Sequence, residues 1–264
     1  DRFATRATCE QVLFNIRLGM FERFRNADGV PTMLAYVNDC DEDVCLSWFL
    51  LKNFILVENT INLLTNKLVS VEGLMDAAAG AYPLSPDLEI LQTMNWIFAP
   101  YRRFRVSGQI DHRDANEFRE VVTGVEHRIE KYLAGRAQMV PLDTKYEVIH
   151  QGHEWTMIKE IGINAKSGMY HKGIHAYVAM RERPNGRWSY TVGRMSHYIP
   201  FNVLNHLRRL SAAELAKDPT SRPFGGGNTI GGSDRALGSA QSPDEVFRIV
   251  EDGVAEDFAN RSLA

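Results

Sequence analysis

The chain has 264 residues, of which 44% are hydrophobic and 24% are charged, and its formal net charge is −3. This length and composition are typical of a globular protein with one or two domains. So small a net charge argues against nonspecific binding to nucleic acid or to a membrane surface, and no apolar run reaches bilayer-spanning length.

The three cysteines, Cys9, Cys40 and Cys45, all lie near the start of the chain. Their spacing resembles neither a disulfide framework nor a paired zinc-ligand motif, which is typical of a reducing compartment. We therefore expect a cytoplasmic protein. We also expect no signal peptide, although the sequence begins at Asp1 and an upstream segment could have been removed.

Predicted helices and strands alternate in the first part of the chain. Residues 8–26 have apolar positions at helical spacing, and an apolar strand is predicted over 33–37. A helical pattern over 44–51 is followed by a second predicted strand, Lys67–Glu72. This order predicts an α/β fold, with an N-terminal domain that has a mainly parallel sheet and flanking helices.

The first predicted strand ends in four acids within five residues, namely Asp39, Asp41, Glu42 and Asp43. Four neighbouring carboxylates repel one another and gain nothing from burial, so a divalent metal would relieve them. Open α/β sheets also bind ligands where a strand ends ahead of a helix. The alternative is a solvated first turn of a helix, in which the helix dipole favours acids.

Residues 85–135 have a largely helical pattern that contains two groups of candidate functional residues. Tyr101–Arg105 combines three arginines with two aromatic residues, which suits either a phosphate contact or a solvated face. Asp111 and His112 are candidate metal ligands or general acid/base residues. The alternative for this pair is an exposed or capping position.

The pattern changes after a polar segment, 136–145, which we interpret as a linker. We expect a first domain over 1–138 and a smaller α+β domain over 146–264, in which residues 174–193 form a β-hairpin. The expected strands of this second domain cover 146–149, 156–161, 175–181 and 188–192, and its expected helices cover 202–215 and 243–258.

Five glycines lie in the segment Phe224–Arg235. Glycine permits positive φ and close approach of a ligand, and successive backbone N–H groups can form an anion-binding nest. Side chains that could add hydrogen bonds or charge belong to Asn228, Thr229, Ser233 and Arg235. The alternative is a flexible surface loop between two helices.

Taken together and in this order, the acidic and glycine-rich segments resemble motifs of the DHH phosphoesterase superfamily. Asp39-Cys-Asp-Glu-Asp43 is similar to the alternating aspartates that end a strand in that family, and Val192-Gly-Arg-Met-Ser196 and Gly225-Gly-Gly-Asn228 are similar to its substrate-binding segments. In outline the resemblance covers most of the chain, although the matching motifs comprise only a small part of it.

The resemblance implies bound Mn²⁺ (or Mg²⁺), with Asp39, Asp41, Asp43 and Asp76 as the metal ligands. It implies that Asp111 and His112 stand closest to the catalytic Asp-His-His motif. The implied substrate-binding residues are Arg194, Ser196, His197, Gly225, Gly226, Gly227, Asn228, Thr229 and Arg235. The implied substrate is a phosphorylated small molecule or a short oligonucleotide, and we expect no membrane partner and a homodimer.

The chain departs from the family pattern at three positions: Val44 replaces a glycine, and Arg113 and Asn228 replace histidines. Our leading hypothesis is a metal-dependent phosphoesterase that acts on a nucleotide, short oligonucleotide or polyphosphate at a cleft between its domains. Because of the departures, the alternative is a catalytically inactive nucleotide- or anion-binding regulatory protein on the same scaffold. A metal-independent hydrolase or transferase on an unrelated fold is the third class.

Overall fold

A computed structural model describes residues 6–37, 39–78 and 80–261, which divide into two units. The first unit comprises residues up to Ala77 together with Asp87–Leu142, and the second comprises Ala78–Pro86 and the chain from Asp143 onwards. Each unit has a hydrophobic core of its own.

Helices make up the regular structure of the first unit in the part that is described. Its α-helices are α1 (Thr8–Arg17), α2 (Glu42–Lys52), α3 (Ile55–Glu58), α4 (Leu63–Ala77), α5 (Glu89–Ile97), α6 (Ala99–Val106) and α7 (Ala115–Leu133). Two 3₁₀ turns, Met20–Arg23 and Gln109–His112, follow α1 and α6. The core packs the inner faces of these helices against one another.

The strand predicted over Lys67–Glu72 is wrong, because these residues lie within α4. The segment contains β-branched valines, which are common in strands, but Leu68, Glu72 and Met75 are buried at intervals of three and four residues. That spacing places them on one face of a helix, which packs against α1 and α2.

Residues 33–37 do not form the other predicted strand either. They have no ladder partner among the described residues, and Leu34 and Tyr36 are 75% and 90% exposed. The parallel sheet expected in the first domain is therefore absent from the described part of the first unit. The broader expectation of a mixed α and β chain holds, since the second unit contains a sheet.

The first predicted helix is shorter than expected because the chain turns at Gly19. Gly19 has φ of 82°, and its N–H donates to the carbonyl of Ile16 at 3.0 Å. A glycine in the left-handed region is a common way to end a helix, since other residues meet a steric cost there. The 3₁₀ turn replaces the rest of the predicted helix.

The second unit contains a six-stranded sheet in the order β1-β2-β3-β4-β6-β5. Its strands are β1 (Tyr146–Gln151), β2 (Thr156–Glu160), β3 (Ala176–Glu182), β4 (Trp188–Arg194), β5 (Gly225–Gly226) and β6 (Ile230–Gly232). Its helices are α8 (Ala165–His171), α9 (Val203–Lys217) and α10 (Pro243–Arg261). The predicted β3–β4 hairpin and the two long helices are confirmed, and only the β2–β3 pair is parallel.

Alternate residues of β3 face opposite sides of the sheet. Val178 and Met180 lie in the core formed with α9 and α10, whereas Tyr177 and Ala179 lie in a smaller cluster with residues of α8. Ala81 joins that smaller cluster. The upstream segment Ala78–Pro86 therefore completes the packing of one sheet face.

Candidate functional site

The acidic segment begins α2 rather than ending a strand. Asp41 is the N-cap residue of α2, and its Oδ1 accepts a hydrogen bond from the backbone N–H of Val44 at 2.9 Å. Asp39 accepts one from the N–H of Cys40 at 2.7 Å. Burial and then the charges of Asp39 and Asp43 raise the pKa of Asp41 to about 6, although the Val44 hydrogen bond opposes this rise.

Asp43 caps a different helix from the one on which it lies. Its two carboxylate oxygens accept hydrogen bonds from the backbone N–H groups of Thr8 at 2.9 Å and Cys9 at 2.7 Å. These groups begin α1, whose own N-cap residue, Ala7, has no side chain that could accept them. A carboxylate has about four lone-pair sites, so these contacts leave it able to bind a cation as well.

Glu42 makes an ion pair with Arg102 of α6. Its Oε1 accepts hydrogen bonds from Arg102 Nε at 2.8 Å and Nη2 at 2.6 Å, and Arg102 Nη1 also donates to Asn95. In the predicted arginine-rich segment, Arg102 is thus half-buried and paired, whereas Arg103 and Arg105 are exposed.

α4 contributes two further carboxylates that lie one helical turn apart, Glu72 and Asp76. Burial and then the charges of Asp43 and Glu10 raise the pKa of Asp76. Burial also raises the pKa of Glu72 well above its ordinary value, followed by the charges of Glu42, Asp43 and Asp76. Asp43 and Asp76, two of the predicted metal ligands, therefore belong to one electrostatic cluster.

Sequence reasoning missed Glu72 and Glu10 as members of this acidic cluster. Glu72 is only 4% exposed, and its Oε2 has no hydrogen-bond partner in the described structure. Glu10 packs its carboxyl group against Gly73, where an added Cβ would lie 2.4 Å from Glu10 Cδ. The i,i+4 spacing of Glu72 and Asp76 would have indicated a shared face if the segment had been interpreted as a helix.

Within the described residues, no three histidine, cysteine or acidic side chains already converge on one point as metal ligands do. The unpartnered oxygen of Glu72 nevertheless suits a cation, because a buried carboxylate oxygen needs a donor or a positive charge. Its neighbours supply oxygen donors, which Mg²⁺ and Mn²⁺ prefer.

The predicted catalytic pair, Asp111 and His112, lies in the exposed 3₁₀ turn after α6. His112 Nδ1 lies 3.2 Å from Glu117 Oε2. Neither residue forms a described hydrogen bond or ion pair with the acids of α2 or α4. Their catalytic role stays a prediction.

In the second unit, the structure brings Arg194 together with the glycine-rich segment. At the end of β4, Arg194 donates from its backbone N–H to the carbonyl of Thr229 at 2.8 Å and from Nε to that of Asn228 at 2.9 Å. Its Nη1 donates to the carbonyl of Ile199 at 2.9 Å. One guanidinium thus bridges two of the predicted substrate-binding segments.

The glycine-rich segment forms the β5–β6 hairpin rather than a loose loop. A Cβ added at Gly226 would lie 2.2 Å from Gly231 Cα, and one added at Gly232 would lie 2.2 Å from the carbonyl oxygen of Tyr190. At the turn, the N–H of Gly227 donates to the carbonyl of Ile230 at 2.8 Å. Close approach of backbones therefore explains why glycine occupies these strand positions.

The other predicted substrate-binding residues lie in two places. Ser196 Oγ accepts a hydrogen bond from the N–H of Tyr198 at 3.3 Å, and the ring of His197 packs against Tyr198 with centroids 3.9 Å apart. Both residues belong to the segment that Arg194 binds through Ile199. Arg235 is exposed in the turn after β6, where its carbonyl accepts from Arg183 Nη1 at 3.0 Å.

None of the described helices has both the length and the apolar character needed to cross a bilayer. No family model matches this chain, and comparisons with curated proteins and with solved structures give no significant match.

Proposed function

We propose that the protein is a metal-dependent phosphoesterase whose first unit binds Mn²⁺ or Mg²⁺ and whose second unit binds the phosphate groups of its substrate. The observation that carries the proposal is the group of like charges on α2 and α4, which includes a buried glutamate oxygen without a partner. Like charges in a buried position favour a bound cation.

The predicted ligands are Asp39, Asp41, Asp43 and Asp76. Support is strongest for Asp43 and Asp76, because each belongs to the electrostatic environment of Glu72. A bound divalent ion would supply Lewis-acid polarisation of a phosphoryl oxygen and a water of lowered pKa. The chain's own part is to hold Asp43 on α2 and Asp76 on α4, two helices that pack against each other.

The substrate is a nucleotide, a short oligonucleotide or a polyphosphate, and the second unit recognises its phosphates. Arg194 supplies a positive charge that is fixed beside the 227–229 turn by two hydrogen bonds. A guanidinium held in this way suits phosphate recognition, since its N–H groups match the geometry of phosphate oxygens. Ser196 and His197 lie on the segment next to it.

A second function, anion binding without turnover, is favoured by the capping roles of the aspartates. Asp41 caps the N-terminus of α2 and Asp43 caps the N-terminus of α1, so both acids have a structural role that needs no metal. This alternative predicts that inorganic phosphate or a nucleotide raises the melting temperature equally in Mn²⁺ and in chelator.

Hydrolysis assays with Mn²⁺ test the proposal on bis-p-nitrophenyl phosphate, short RNA and polyphosphate. We expect turnover that EDTA abolishes and that Asp76→Asn lowers by about tenfold or more. Asp28→Asn is the matched control, because Asp28 is an exposed aspartate in a turn of the same unit.

Purified protein that binds no Mn²⁺ and leaves all three substrates intact would contradict the phosphoesterase proposal. Turnover that is equal in EDTA and in Mn²⁺ would contradict the role of the metal. Phosphate binding that persists without turnover would favour the second function.

A further inference from the structure

Glu72 differs from the other buried glutamates of the described chain in having an oxygen without a partner. Glu126 pairs with Lys52 Nζ at 2.6 Å. Glu214 accepts hydrogen bonds from Arg187, Ser221, Ser239, Ala240 and Gln241. Glu72 is 4% exposed, and no described donor reaches its Oε2. The fold thus supplies hydrogen-bond or ion-pair partners to the carboxylates of Glu126 and Glu214, but it leaves one oxygen of Glu72 without a partner.

Acidic side chains from three helices, α1, α2 and α4, lie around Glu72. Asp76 lies one turn away on the same face of α4, Asp43 lies on α2, and Glu10 of α1 lies against Gly73. Arg102 is the positive group that acts on Glu72, but its guanidinium is bound to Glu42 and Asn95. No described cation therefore neutralises Glu72 directly.

Exposure increases from Glu72 outwards. Glu72 is buried, Asp43 and Glu10 are partly buried, and Asp76 is exposed to solvent. A hydrated ion could therefore enter past Asp76. Mg²⁺ commonly keeps several of its waters and binds through only one or two carboxylates, so such a site does not require three converging side chains.

We propose that Glu72 binds the divalent cation directly through Oε2, with Asp76 as the second carboxylate ligand and Asp43 and Glu10 contacting the ion's waters. The ligand class is a hard, hydrated divalent ion, Mn²⁺ or Mg²⁺. This inference rests on the proposed metal dependence and deepens it, because it places the ion against α4, adds a ligand that the acidic motif at 39–43 does not contain, and assigns Asp43 to the ion's waters instead of to the ion itself.

Calorimetric titration of the full chain with Mn²⁺ tests the inference on the wild type, Glu72→Gln and a matched control. We expect Glu72→Gln to lower the Mn²⁺ affinity by about tenfold or more. The control is Glu126→Gln, which changes a second buried glutamate of the same unit and should leave the Mn²⁺ affinity unchanged. Thermal unfolding in EDTA and in Mn²⁺ provides a second readout.

In EDTA, Glu72→Gln should melt at the same temperature as the wild type or higher, because the glutamine replaces a buried carboxyl group whose ionised form is opposed by burial and by its acidic neighbours. The shift that Mn²⁺ causes in the wild type should disappear. A Glu72→Gln protein that melts lower in EDTA, or that fails to fold, would overturn the inference, because the carboxylate would then be satisfied without metal.

The two proposals fail in distinguishable ways. If the wild type binds no Mn²⁺, the metal-dependent function is wrong and the inference falls with it. A different result is that the wild type binds Mn²⁺ and that Asp76→Asn, but not Glu72→Gln, weakens this binding. In that case only the assignment of Glu72 is wrong.

Discussion

Two buried ionisable residues of the second unit, Glu214 and His206, differ in whether they have hydrogen-bond partners. Burial alone would raise the pKa of Glu214, but hydrogen bonds from Ser239, Ala240 and Ser221 lower it below its ordinary value. Glu214 also forms an ion pair with Arg187 at 2.9 Å. His206 is fully buried too, yet neither of its ring nitrogens has a hydrogen-bond partner in the described structure.

His206 should make the protein less stable in mild acid. Burial and then the charge of Arg209 lower its pKa to about 4, so the unfolded chain binds a proton at higher pH than the folded chain does. Stability from this residue is therefore lost as the pH falls from about 6.5 towards 4, with a loss of about 2 kcal/mol between pH 7 and pH 5.

Urea unfolding of wild type and His206→Leu at both pH values measures this effect. The leucine variant should lack this part of the acid sensitivity. His171→Gln, a change at an exposed histidine of α8, should keep it. An equal loss of stability in wild type and His206→Leu would show that other groups cause the acid sensitivity.

At the scale of elements, the sequence predicted the second unit better than the first. The hairpin was predictable because the turn Arg183–Arg187 separates two short runs rich in strand-forming residues. Lys67–Glu72 misled because it is followed directly by Gly73, and a glycine often bounds a strand. In the structure Gly73 lies inside α4, where its missing Cβ makes room for Glu10.

The candidate site, too, was only partly predictable from local sequence patterns. The acidic motif, with Asp43, and the glycine-rich segment are visible as local patterns in the sequence, and Asp76 is implied by the family resemblance. Glu10 carries no local signal, because it meets Gly73 only through the packing of α1 against α4. The i,i+4 spacing of Glu72 and Asp76 becomes informative only when the segment is interpreted as a helix. Tertiary contacts of this kind cannot be obtained from spacing along the chain alone.

Gly225 and Gly232 pair with each other across the β5–β6 hairpin, but Gly225 should accept a methyl group and Gly232 should not. Alanine at Gly232 would place Cβ 2.2 Å from the carbonyl oxygen of Tyr190, which is backbone and cannot rotate away. We expect Gly232→Ala to lower the free energy of unfolding by about 2 kcal/mol and, if the proposed phosphate site exists, to weaken phosphate binding at the 227–229 turn of the same hairpin.

Gly225→Ala is the matched control in the same hairpin, because no atom lies within 4 Å of the added Cβ. Chemical denaturation and phosphate titration of the two variants provide the comparison. Equal stability of the two variants would show that the hairpin is free to shift and that its glycines are not required for packing.

At the scale of the whole molecule, the order of the chain and the division into units do not coincide. The chain leaves the first unit after α4, contributes Ala78–Pro86 to the second, and returns to the first at Asp87. The polar segment at 136–145 predicted one crossing near Leu142, but the earlier excursion carries no composition signal. The small residues around Ala81 are equally common in loops and in tightly packed buried positions, so they do not show that this segment belongs to the second unit.

Ala81 should therefore control the stability of a sheet that lies far from it in sequence. It is 0% exposed and packs in one cluster with Ile158, Tyr177 and Ala179. Ala81→Asp would bury a charge without a partner, which we expect to destabilise the second unit by about 3 kcal/mol or more. Hydrogen–deuterium exchange should become faster in β2 and β3, whereas exchange in α2 and α5 should not change. The control is Ala134→Asp, which introduces the same side chain at an exposed position. If exchange in β2 and β3 of Ala81→Asp is unchanged, the segment Ala78–Pro86 is not part of the second unit's core.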